Sequence, residues 1–207
     1  MNPVQAPRML RDPAPLLAQV QQQWAARGGA LWVFGYASLI WRPDFEVAER
    51  RPARVHGWHR ALKMWSHVNR GTPEVPGLVF ALLGGGSCCG MALRVPSSQA
   101  SEVLAQLWQR EMVTGVYDPR WLPCHTPNGQ VQALAFTLSR RSPSYSGRLS
   151  PAQIRQIFAS ARGRFGSTHD YAVQTYHSLR RQGIHDRELE ALLSWVSADL
   201  PDAPSAL

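Results

Sequence analysis

Residues 31–41, Leu-Trp-Val-Phe-Gly-Tyr-Ala-Ser-Leu-Ile-Trp, begin as a strongly apolar, aromatic-rich run and continue into small residues. The run over residues 31–36 predicts a buried β-strand, because aromatic and β-branched side chains favour strands and no charged residue interrupts it. The small residues that follow predict a tight turn. Such a turn at the end of a buried strand can aim backbone N–H groups at an anion or a carbonyl oxygen, although most such turns only connect elements.

Four further segments have strand patterns: residues 54–65, 78–83, 89–95 and 131–138. The first alternates weakly, the last alternates apolar with polar side chains, and the middle two are apolar runs. Residues 84–87, Gly-Gly-Gly-Ser, separate the two apolar runs. This composition predicts a hairpin turn between two strands.

Apolar spacing predicts five helices. They are a first helix stopped by Gly28 and Gly29, a helix over residues 97–112 capped by Ser97 or Ser98, and three C-terminal helices from Ser150-Pro151, over residues 168–181 and from Asp186. Strands followed by terminal helices predict an α+β fold with a mostly antiparallel sheet or a small barrel. We expect a tail and helix over residues 1–29, loose up to residue 12, one domain over residues 30–200, and a low-complexity tail over residues 201–207.

Glu111 lies where the helix over residues 97–112 should be apolar. Leu104, Leu107 and Trp108 occupy positions i, i+3 and i+4, and Glu111 is i+7, so all four share one helix face. A lone buried carboxylate is costly unless it is paired, protonated or hydrogen-bonded. Position alone therefore leaves three interpretations of Glu111: the rim of the apolar stripe, a structural ion pair, or a working pocket.

Composition excludes several classes of protein. With 207 residues, 44% of them hydrophobic, and eight tryptophans, the chain can bury a sizeable core. Glycine and proline interrupt every long apolar run, so no membrane span is expected, and the N-terminus has no apolar signal-peptide core. The formal charge is +8, but the arginines are scattered in ones and twos, which favours a solvated surface over a nucleic-acid-binding face.

Residue chemistry gives few other candidates. His56 and His59, three apart on a predicted strand, should point to opposite faces and make a poor metal pair. Ser38 lacks the Gly-x-Ser-x-Gly context of a hydrolase nucleophile. Cys88, Cys89 and Cys124 form neither a Cys-x-x-Cys motif nor a disulfide framework, so we expect a reducing, cytoplasmic location and no metal site.

Five segments of the chain nevertheless match, in the same order, the motifs of one known protein family. They are Val33-Phe34-Gly35-Tyr36-Ala37-Ser38-Leu39-Ile40-Trp41, Arg70-Gly71-Thr72-Pro73-Glu74, Gly86-Ser87-Cys88, Leu107-Trp108-Gln109-Arg110-Glu111-Met112 with Gly115, and residues 166–186 including Tyr171. In these segments the chain resembles the ChaC-type γ-glutamylcyclotransferase family, over about residues 31–196. The resemblance implies a small β-barrel-like core with flanking helices, no cofactor, and cleavage of glutathione into 5-oxoproline and cysteinylglycine. It leaves the oligomeric state open.

The resemblance also implies a set of site residues. The catalytic glutamate of the family falls on Glu111, and its Tyr-Gly-Ser-Leu substrate loop begins at Tyr36. The expected substrate-binding residues are Val33, Phe34, Gly35, Tyr36, Ala37, Ser38, Leu39, Arg70 and Tyr171. Arg70 could pair with a substrate carboxylate or form a salt bridge that orders its loop.

Two positions depart from the family pattern. Ala37 replaces a glycine, which costs about 1–2 kcal/mol if the backbone needs a positive φ there and little if φ is negative. His169-Asp170-Tyr171-Ala172 also differs from the family, which weakens any role for Tyr171.

The implied reaction is intramolecular aminolysis, in which the α-amine of the γ-glutamyl group attacks its own γ-carbonyl. One carboxylate can act first as base and then as acid if its apolar surroundings raise its pKa towards neutrality. Three alternatives remain: a cyclotransferase acting on other γ-glutamyl amines or dipeptides, a non-enzymatic regulatory or binding module, and a nucleic-acid binder.

Overall fold

The computed structural model describes residues 9–197. The predicted tail over residues 201–207 and the domain boundary at residue 200 lie outside the described residues, as do the first eight residues. The chain divides into two units. Unit 1 holds the described residues up to Ala61 together with Phe80–Tyr145, and unit 2 holds Leu62–Val79 and the described residues from Ser146 onward. The prediction of one domain over residues 30–200 stays a prediction.

Five strands form a closed barrel. They are β1 (Trp32–Gly35), β2 (Glu49–Ser66), β3 (Gly77–Arg94), β4 (Asp118–Thr126) and β5 (Gly129–Thr137), in the order β1-β3-β2-β4-β5. The pairs β1–β3, β2–β4 and β4–β5 are antiparallel, and β5 runs parallel to β1 and β3 where it closes the sheet. The predicted α+β class with a mostly antiparallel, barrel-like core is therefore confirmed.

Six α-helices accompany the strands within residues 9–197. They are α1 (Ala14–Arg27), α2 (Ser38–Trp41), α3 (Ala100–Glu111), α4 (Pro151–Ser160), α5 (Thr168–Arg181) and α6 (Arg187–Ser197), and the two-residue strands β6 (Arg162–Gly163) and β7 (Gly166–Ser167) pair between α4 and α5. The predicted first helix and the three C-terminal helices are confirmed. Ser150 and Ser167 each form a capping box with the residue three positions on, which explains where α4 and α5 begin. No helix within residues 9–197 is long and apolar enough to cross a membrane.

The predicted hairpin at residues 84–87 is wrong. These residues lie inside the single 18-residue strand β3. Gly85 and Gly86 do have positive φ, at 101° and 72°, but β3 continues through them beside the equally long β2. His59 on β2, for example, forms a 2.8 Å hydrogen bond with the carbonyl of Gly85. Positive φ at glycine therefore permits a turn here without requiring one.

Strand β4 was not predicted from the sequence. Pro119 and Pro123 lie within it, and proline normally argues against a paired strand because it has no N–H to donate. The nine-residue pairing with β5 nevertheless runs from Asp118↔Thr137 to Thr126↔Gly129. Asn128 and Gly129 at the end of this hairpin are a recognised turn signal.

Two predictions about the edges of helices also need correction. Ser97 and Ser98 lie in a short 3₁₀ turn, Ser97–Gln99, and no side chain caps α3. The loose tail expected up to residue 12 is wrong for its last part, because the N–H of Leu10 donates to the carbonyl of Thr114 at 2.8 Å.

Helix α3 packs against the barrel through its apolar face. Leu104, Leu107 and Trp108 are buried, and the ring of Trp108 lies 6.0 Å from that of Phe136 on β5. Tyr117 lies 6.1 Å from the same phenylalanine. Burial of this face fixes where the last residue of α3 is placed.

Candidate active site

Glu111 is the last residue of α3. Its side chain is 16% exposed, so the carboxylate lies at the edge of the buried face that it shares with Leu107 and Trp108. The helix ends here because the chain turns: Met112 donates to the carbonyl of Trp108, and Gly115 donates to that of Met112. Glu111 is therefore fixed at its backbone, and most of its side chain is shielded from solvent.

The N-terminal segment secures the turn that follows Glu111. Arg11 donates through Nε to the carbonyl of Gly115 at 2.7 Å and pairs with Asp118, also at 2.7 Å. Gly115 has φ 65°, and a Cβ there would collide with the backbone carbonyl oxygen of Arg11. Only glycine accommodates both the left-handed conformation and this close contact. Sequence reasoning missed this contact because nothing in residues 9–12 resembles a structured element.

The chain between β1 and α2 carries the start of the predicted substrate loop, and Tyr36 anchors it. The Tyr36 hydroxyl donates to the carbonyl of Phe136 at 3.0 Å, which anchors the end of β1 to β5. The carbonyl of Tyr36 accepts a 2.8 Å hydrogen bond from the buried Arg60 of β2, whose guanidinium also donates to the carbonyl of Cys89 at 3.1 Å. Tyr36 is consequently held through both its side chain and its backbone carbonyl at the end of the strand.

Ala37 adopts φ −147°. The glycine-to-alanine departure therefore falls in the case where the left-handed penalty is absent. The methyl group is buried, so its effect is limited to the volume that it occupies beside the turn.

Arg110 connects this turn to the acid. Its Nε lies 3.1 Å from Glu111 Oε1, and its Nη2 lies 3.2 Å from Ser38 Oγ. Its Nη1 donates to the carbonyl of Arg42 at 2.6 Å and lies 2.8 Å from Asp44 Oδ2. One guanidinium thus contacts the predicted catalytic residue and the predicted substrate loop, which brings these two parts of the site together.

Burial raises the pKa of Glu111 above its ordinary value of 4.5. The nearby Arg110 guanidinium lowers this pKa and the Asp44 carboxylate raises it, but the loss of hydration is the largest effect. A carboxyl group of this kind can hold a proton closer to neutral pH than an exposed glutamate can.

Asp44 is a second residue that sequence reasoning missed. It has φ 58°, the one positive value among the described non-glycine residues, and its Oδ1 accepts a 3.0 Å hydrogen bond from Arg42. The signal available in the sequence was weak: aspartate tolerates the left-handed region better than most residues, but nothing around Pro43 predicts contact with a helix 66 positions further on.

The side chains of Val33 and Phe34 are fully buried in the barrel. Gly35 pairs with Met91 across β1 and β3. Any contact of these three residues with a substrate would come from their backbone, because they supply the strand on which the turn is mounted. Their expected role in substrate binding stays a prediction.

Arg70 and Tyr171 lie in unit 2. The guanidinium of Arg70 donates to the carbonyl of Phe165, and its central carbon lies 5.0 Å from the centre of the Tyr171 ring. Arg70 is only 6% exposed. These contacts match the loop-ordering interpretation of Arg70 more directly than the substrate interpretation, and a substrate role for either residue stays a prediction.

Other chemistry is sparse within residues 9–197. No group of three or more histidine, cysteine or acidic side chains is arranged to hold a metal ion in that part of the chain. Cys88, Cys89 and Cys124 are not joined in a disulfide. Burial raises the pKa of Cys124 to about 12, so this thiol is not a nucleophile near neutral pH.

Comparison with known proteins gives a consistent set of relatives. The family described as ChaC-like protein matches residues 31–199. The glutathione-specific γ-glutamylcyclotransferase of Escherichia coli (strain K12) is 36% identical over 166 residues, which cover 80% of this chain and 72% of that protein. The human glutathione-specific γ-glutamylcyclotransferase 1 is 32% identical over 179 residues, which cover 83% and 81%.

A solved structure gives the same fold. The γ-glutamyl cyclotransferase specific to glutathione from yeast matches with a TM-score of 0.74 at 21% identity, over 83% of this chain and 97% of that one. At this level of identity the similarity concerns the fold.

Proposed function

The chain belongs to the ChaC-like family, and from this premise we propose that it is a γ-glutamylcyclotransferase that converts glutathione into 5-oxoproline and cysteinylglycine. One observation carries the proposal beyond kinship: Glu111, the acid that matches the catalytic glutamate of the family, lies at the rim of a buried helix face with a raised pKa. A binding module would have little reason to keep a carboxylate in a position that disfavours its charge.

The reaction needs a group that moves a proton between two nitrogens. We propose that the ionised Glu111 carboxylate removes a proton from the α-ammonium of the γ-glutamyl group, so that the nitrogen lone pair can attack the γ-carbonyl carbon. As the tetrahedral intermediate collapses, the new lactam C–N bond remains and the old amide C–N bond breaks. Glu111 gives its proton to the leaving nitrogen of cysteinylglycine as that bond breaks. The ionised carboxylate then takes the second proton from the attacking nitrogen, which addition has left positively charged, and passes it to the released amine. The lactam nitrogen keeps one hydrogen, cysteinylglycine leaves as an ammonium, and Glu111 returns to its starting state. A group of this kind typically contributes about 10²–10⁴ in rate.

The intramolecular nature of the attack lowers much of the remaining activation barrier. The attacking amine and the carbonyl belong to one molecule, so an enzyme that bends the γ-glutamyl chain gains a high effective molarity. Backbone N–H groups of residues 36–39 are our candidates for holding either the developing oxyanion or the γ-glutamyl carboxylate. Their attachment to β5 through Tyr36 and to α3 through Ser38 supports this assignment, because a preorganised donor loses little free energy in reorganising.

We propose the cytoplasm as the location of the protein, and the three cysteines, none of them in a disulfide, fit a reducing compartment. We also propose glutathione rather than nucleic acid as the partner of this basic chain. Several arginines are occupied in local ion pairs, as in Arg51–Glu49 and Arg94–Glu49, and these do not form a continuous basic stripe.

The decisive experiment is mass-spectrometric detection of 5-oxoproline and cysteinylglycine after incubation of the purified protein with glutathione. Glu111→Gln preserves the shape of the side chain and removes its ability to accept a proton, so turnover should fall at least ~100-fold. The matched control is Glu102→Gln. Glu102 is an exposed acid in the first turn of the same helix, and its replacement should leave turnover near the wild-type rate.

Three results would change the proposal. Near-normal turnover in Glu111→Gln would remove Glu111 from the chemistry. Wild-type activity on other γ-glutamyl dipeptides but not on glutathione would keep the reaction and change the substrate, with the buried Ala37 methyl as the first position to revert to glycine. A folded wild-type protein that cyclises no γ-glutamyl substrate would favour a binding or regulatory module.

A further inference from the structure

Arg110 makes more contacts with protein groups than a surface arginine needs, since water can hydrate an exposed guanidinium. Its side chain is 24% exposed. It contacts Ser38 Oγ, the carbonyls of Arg42 and Pro43, and the carboxylates of Asp44 and Glu111. All of these partners except Glu111 lie 66 to 72 positions earlier in the chain. The guanidinium therefore joins one whole segment, residues 38–44, to the end of α3.

We propose that Arg110 is a positioning residue that clamps residues 38–44 onto the end of α3, orients the Glu111 carboxylate for proton transfer, and acts together with Asp44. This inference rests on the proposed function, because it assigns a role in the same reaction. Arg110 itself is not proposed to touch the substrate.

The geometry gives Arg110 two separable effects. The planar guanidinium presents donors in a fixed fork, so Nε and Nη2 hold Glu111 and Ser38 at the same time. If the fork is lost, the carboxylate and the turn after β1 are no longer held to one another. A misplacement of about 1 Å at a reacting group can cost about 100-fold in rate.

The second effect is electrostatic. Arg110 and Asp44 are the charged groups described as acting on the Glu111 carboxylate, one from its own helix and one from the turn after α2. They act in opposite directions, and Asp44 also draws the guanidinium towards itself at Nη1. Arg42 pairs with the other oxygen of Asp44. Replacing either partner should therefore move the protonation of Glu111 in a direction that identifies the partner.

Asp44 is held in the conformation that this arrangement requires. Its φ of 58° lies in the left-handed region, where a non-glycine residue carries some strain. Such strain persists where the surroundings over-determine the backbone, and it is concentrated at functional sites. Here the surroundings are the two arginines that bind its two carboxylate oxygens.

The test is the pH profile of kcat/KM for glutathione in four variants. Glu111 must be ionised to act as a base, so kcat/KM should fall at low pH along a limb that reports its pKa. Arg110→Gln removes the positive charge, and the limb should move to higher pH. Asp44→Asn removes the negative charge and frees Arg110 for Glu111, and the limb should move to lower pH.

Two further variants separate charge from positioning. Arg110→Lys keeps the charge but loses the fork, so the limb should stay near its wild-type position while kcat falls about 10- to 100-fold. Arg50→Gln removes a 3.2 Å hydrogen bond to the carbonyl of Ile40 in the same segment, with no described contact to Glu111. Its limb should not move.

A direct titration makes the result independent of turnover. The carboxyl carbon of Glu111 can be followed by ¹³C NMR in labelled protein, with Glu111→Gln used to assign the signal. The titration midpoint should rise in Arg110→Gln and fall in Asp44→Asn. If the wild type does not cyclise glutathione, the proposed function fails, but this titration still decides whether Arg110 and Asp44 control Glu111.

Two outcomes would overturn the inference. The first is an Arg110→Gln protein with the wild-type limb, the wild-type titration midpoint and an unchanged kcat. The second is a loss of stability and activity with no movement of limb or midpoint, which is what a merely structural arginine would produce. If Arg110→Gln does not fold, Asp44→Asn and Arg110→Lys decide between the same alternatives.

Discussion

Each unit has a carboxylate at a helix end: Glu111 at the C-terminus of α3 and Asp170 near the N-terminus of α5. Glu111 ends α3, and burial raises its pKa. Asp170 lies in the first turn of α5, where its hydrogen bonds with Ser167 lower its pKa. Asp170 Oδ2 accepts from the Ser167 N–H at 3.1 Å, and Ser167 Oγ accepts from the Asp170 N–H at 2.9 Å.

The two environments differ in what balances the charge. The positive end of the α5 dipole and two reciprocal hydrogen bonds favour an ionised Asp170, whose side chain is 51% exposed. Glu111 lies at the negative end of its helix with little water, and Asp44 adds a like charge nearby. The first arrangement stabilises the ionised acid at a helix terminus, whereas the second makes the ionised form of the acid less favourable, as the proposed role of Glu111 in proton transfer requires. Placement at a helix end therefore does not decide the pKa of an acid; hydration and neighbouring groups decide it.

The largest expected effect is on the free energy of unfolding, and it tests whether the packing around the start of α5, where Asp170 lies, stabilises the fold. Gly77→Ala would place a Cβ against the Arg70 carbonyl oxygen and 2.6 Å from Thr168 Oγ1, at the start of the helix that carries Asp170. We expect a loss of about 3 kcal/mol in the free energy of unfolding, because backbone atoms must move. Urea unfolding followed by tryptophan fluorescence measures this loss. Gly84→Ala in the same strand has no atom within 4 Å of the new Cβ and a φ outside the left-handed range, so it is the matched control. Equal stability of the two variants would show that the packing around α5 is more tolerant than its geometry implies.

A smaller effect tests the charge on Asp170. Its folded pKa is lowered, so its contribution to stability is present above the unfolded value of 3.8 and is lost as pH falls through the folded pKa. Asp170→Asn should therefore lower the unfolding free energy by at most about 1 kcal/mol near neutral pH and by almost nothing at strongly acidic pH. Thermal unfolding across this range checks the expectation. Gln153→Ala removes the uncharged counterpart in the capping box of α4, and its effect should not depend on pH. If Asp170→Asn lowered the free energy of unfolding equally at all pH values, the charge of Asp170 would not stabilise the fold, and the two acids would not differ in this respect.

The smallest expected effect concerns Glu111, whose ionisation should lower the stability of the fold, whereas ionisation of Asp170 raises it. Because the folded pKa of Glu111 is raised, the wild-type protein loses stability relative to Glu111→Gln as pH rises from 4.5 through the folded pKa. The melting temperature of Glu111→Gln minus that of the wild type should accordingly be smallest below pH 4.5 and increase towards neutral pH. Measuring both proteins in the same buffers gives this difference directly. A difference that decreases with pH would mean that Arg110 stabilises the ionised acid more than burial penalises it.

Local patterns predicted much of the secondary structure. Apolar spacing placed α1 and α3, and the Ser150 and Ser167 starts of α4 and α5 follow from capping residues a few positions apart. The errors have a common cause. Whether residues 84–87 turn or continue depends on the partner strand β2, and whether Pro119 and Pro123 permit a strand depends on which backbone groups face β5.

In the candidate site too, local patterns predicted some features, whereas others depend on residues distant in the sequence. Periodicity alone singled out Glu111 on an apolar face, and the resemblance placed the substrate loop at residues 36–39. Residues 104–111 do not show, however, that Arg110, which pairs with Glu111, also binds Asp44 and Ser38, because these partners lie 66 and 72 positions earlier in the chain. Arg11 illustrates the same limit at the other end of the chain, since its partner Gly115 lies 104 positions later.

The helix that carries Glu111 and the turn after the first strand follow from the sequence alone, since side-chain periodicity and turn chemistry act within about a dozen residues. The α+β class follows from the order of such segments along the chain. Tertiary structure decided the continuity of β3, the negative φ of Ala37 and the contacts of Arg110. Each of these depends on which distant groups a backbone or a charge meets after folding. The pKa of a carboxylate belongs to this second class, because hydration and neighbouring charge exist only once the chain has closed around it.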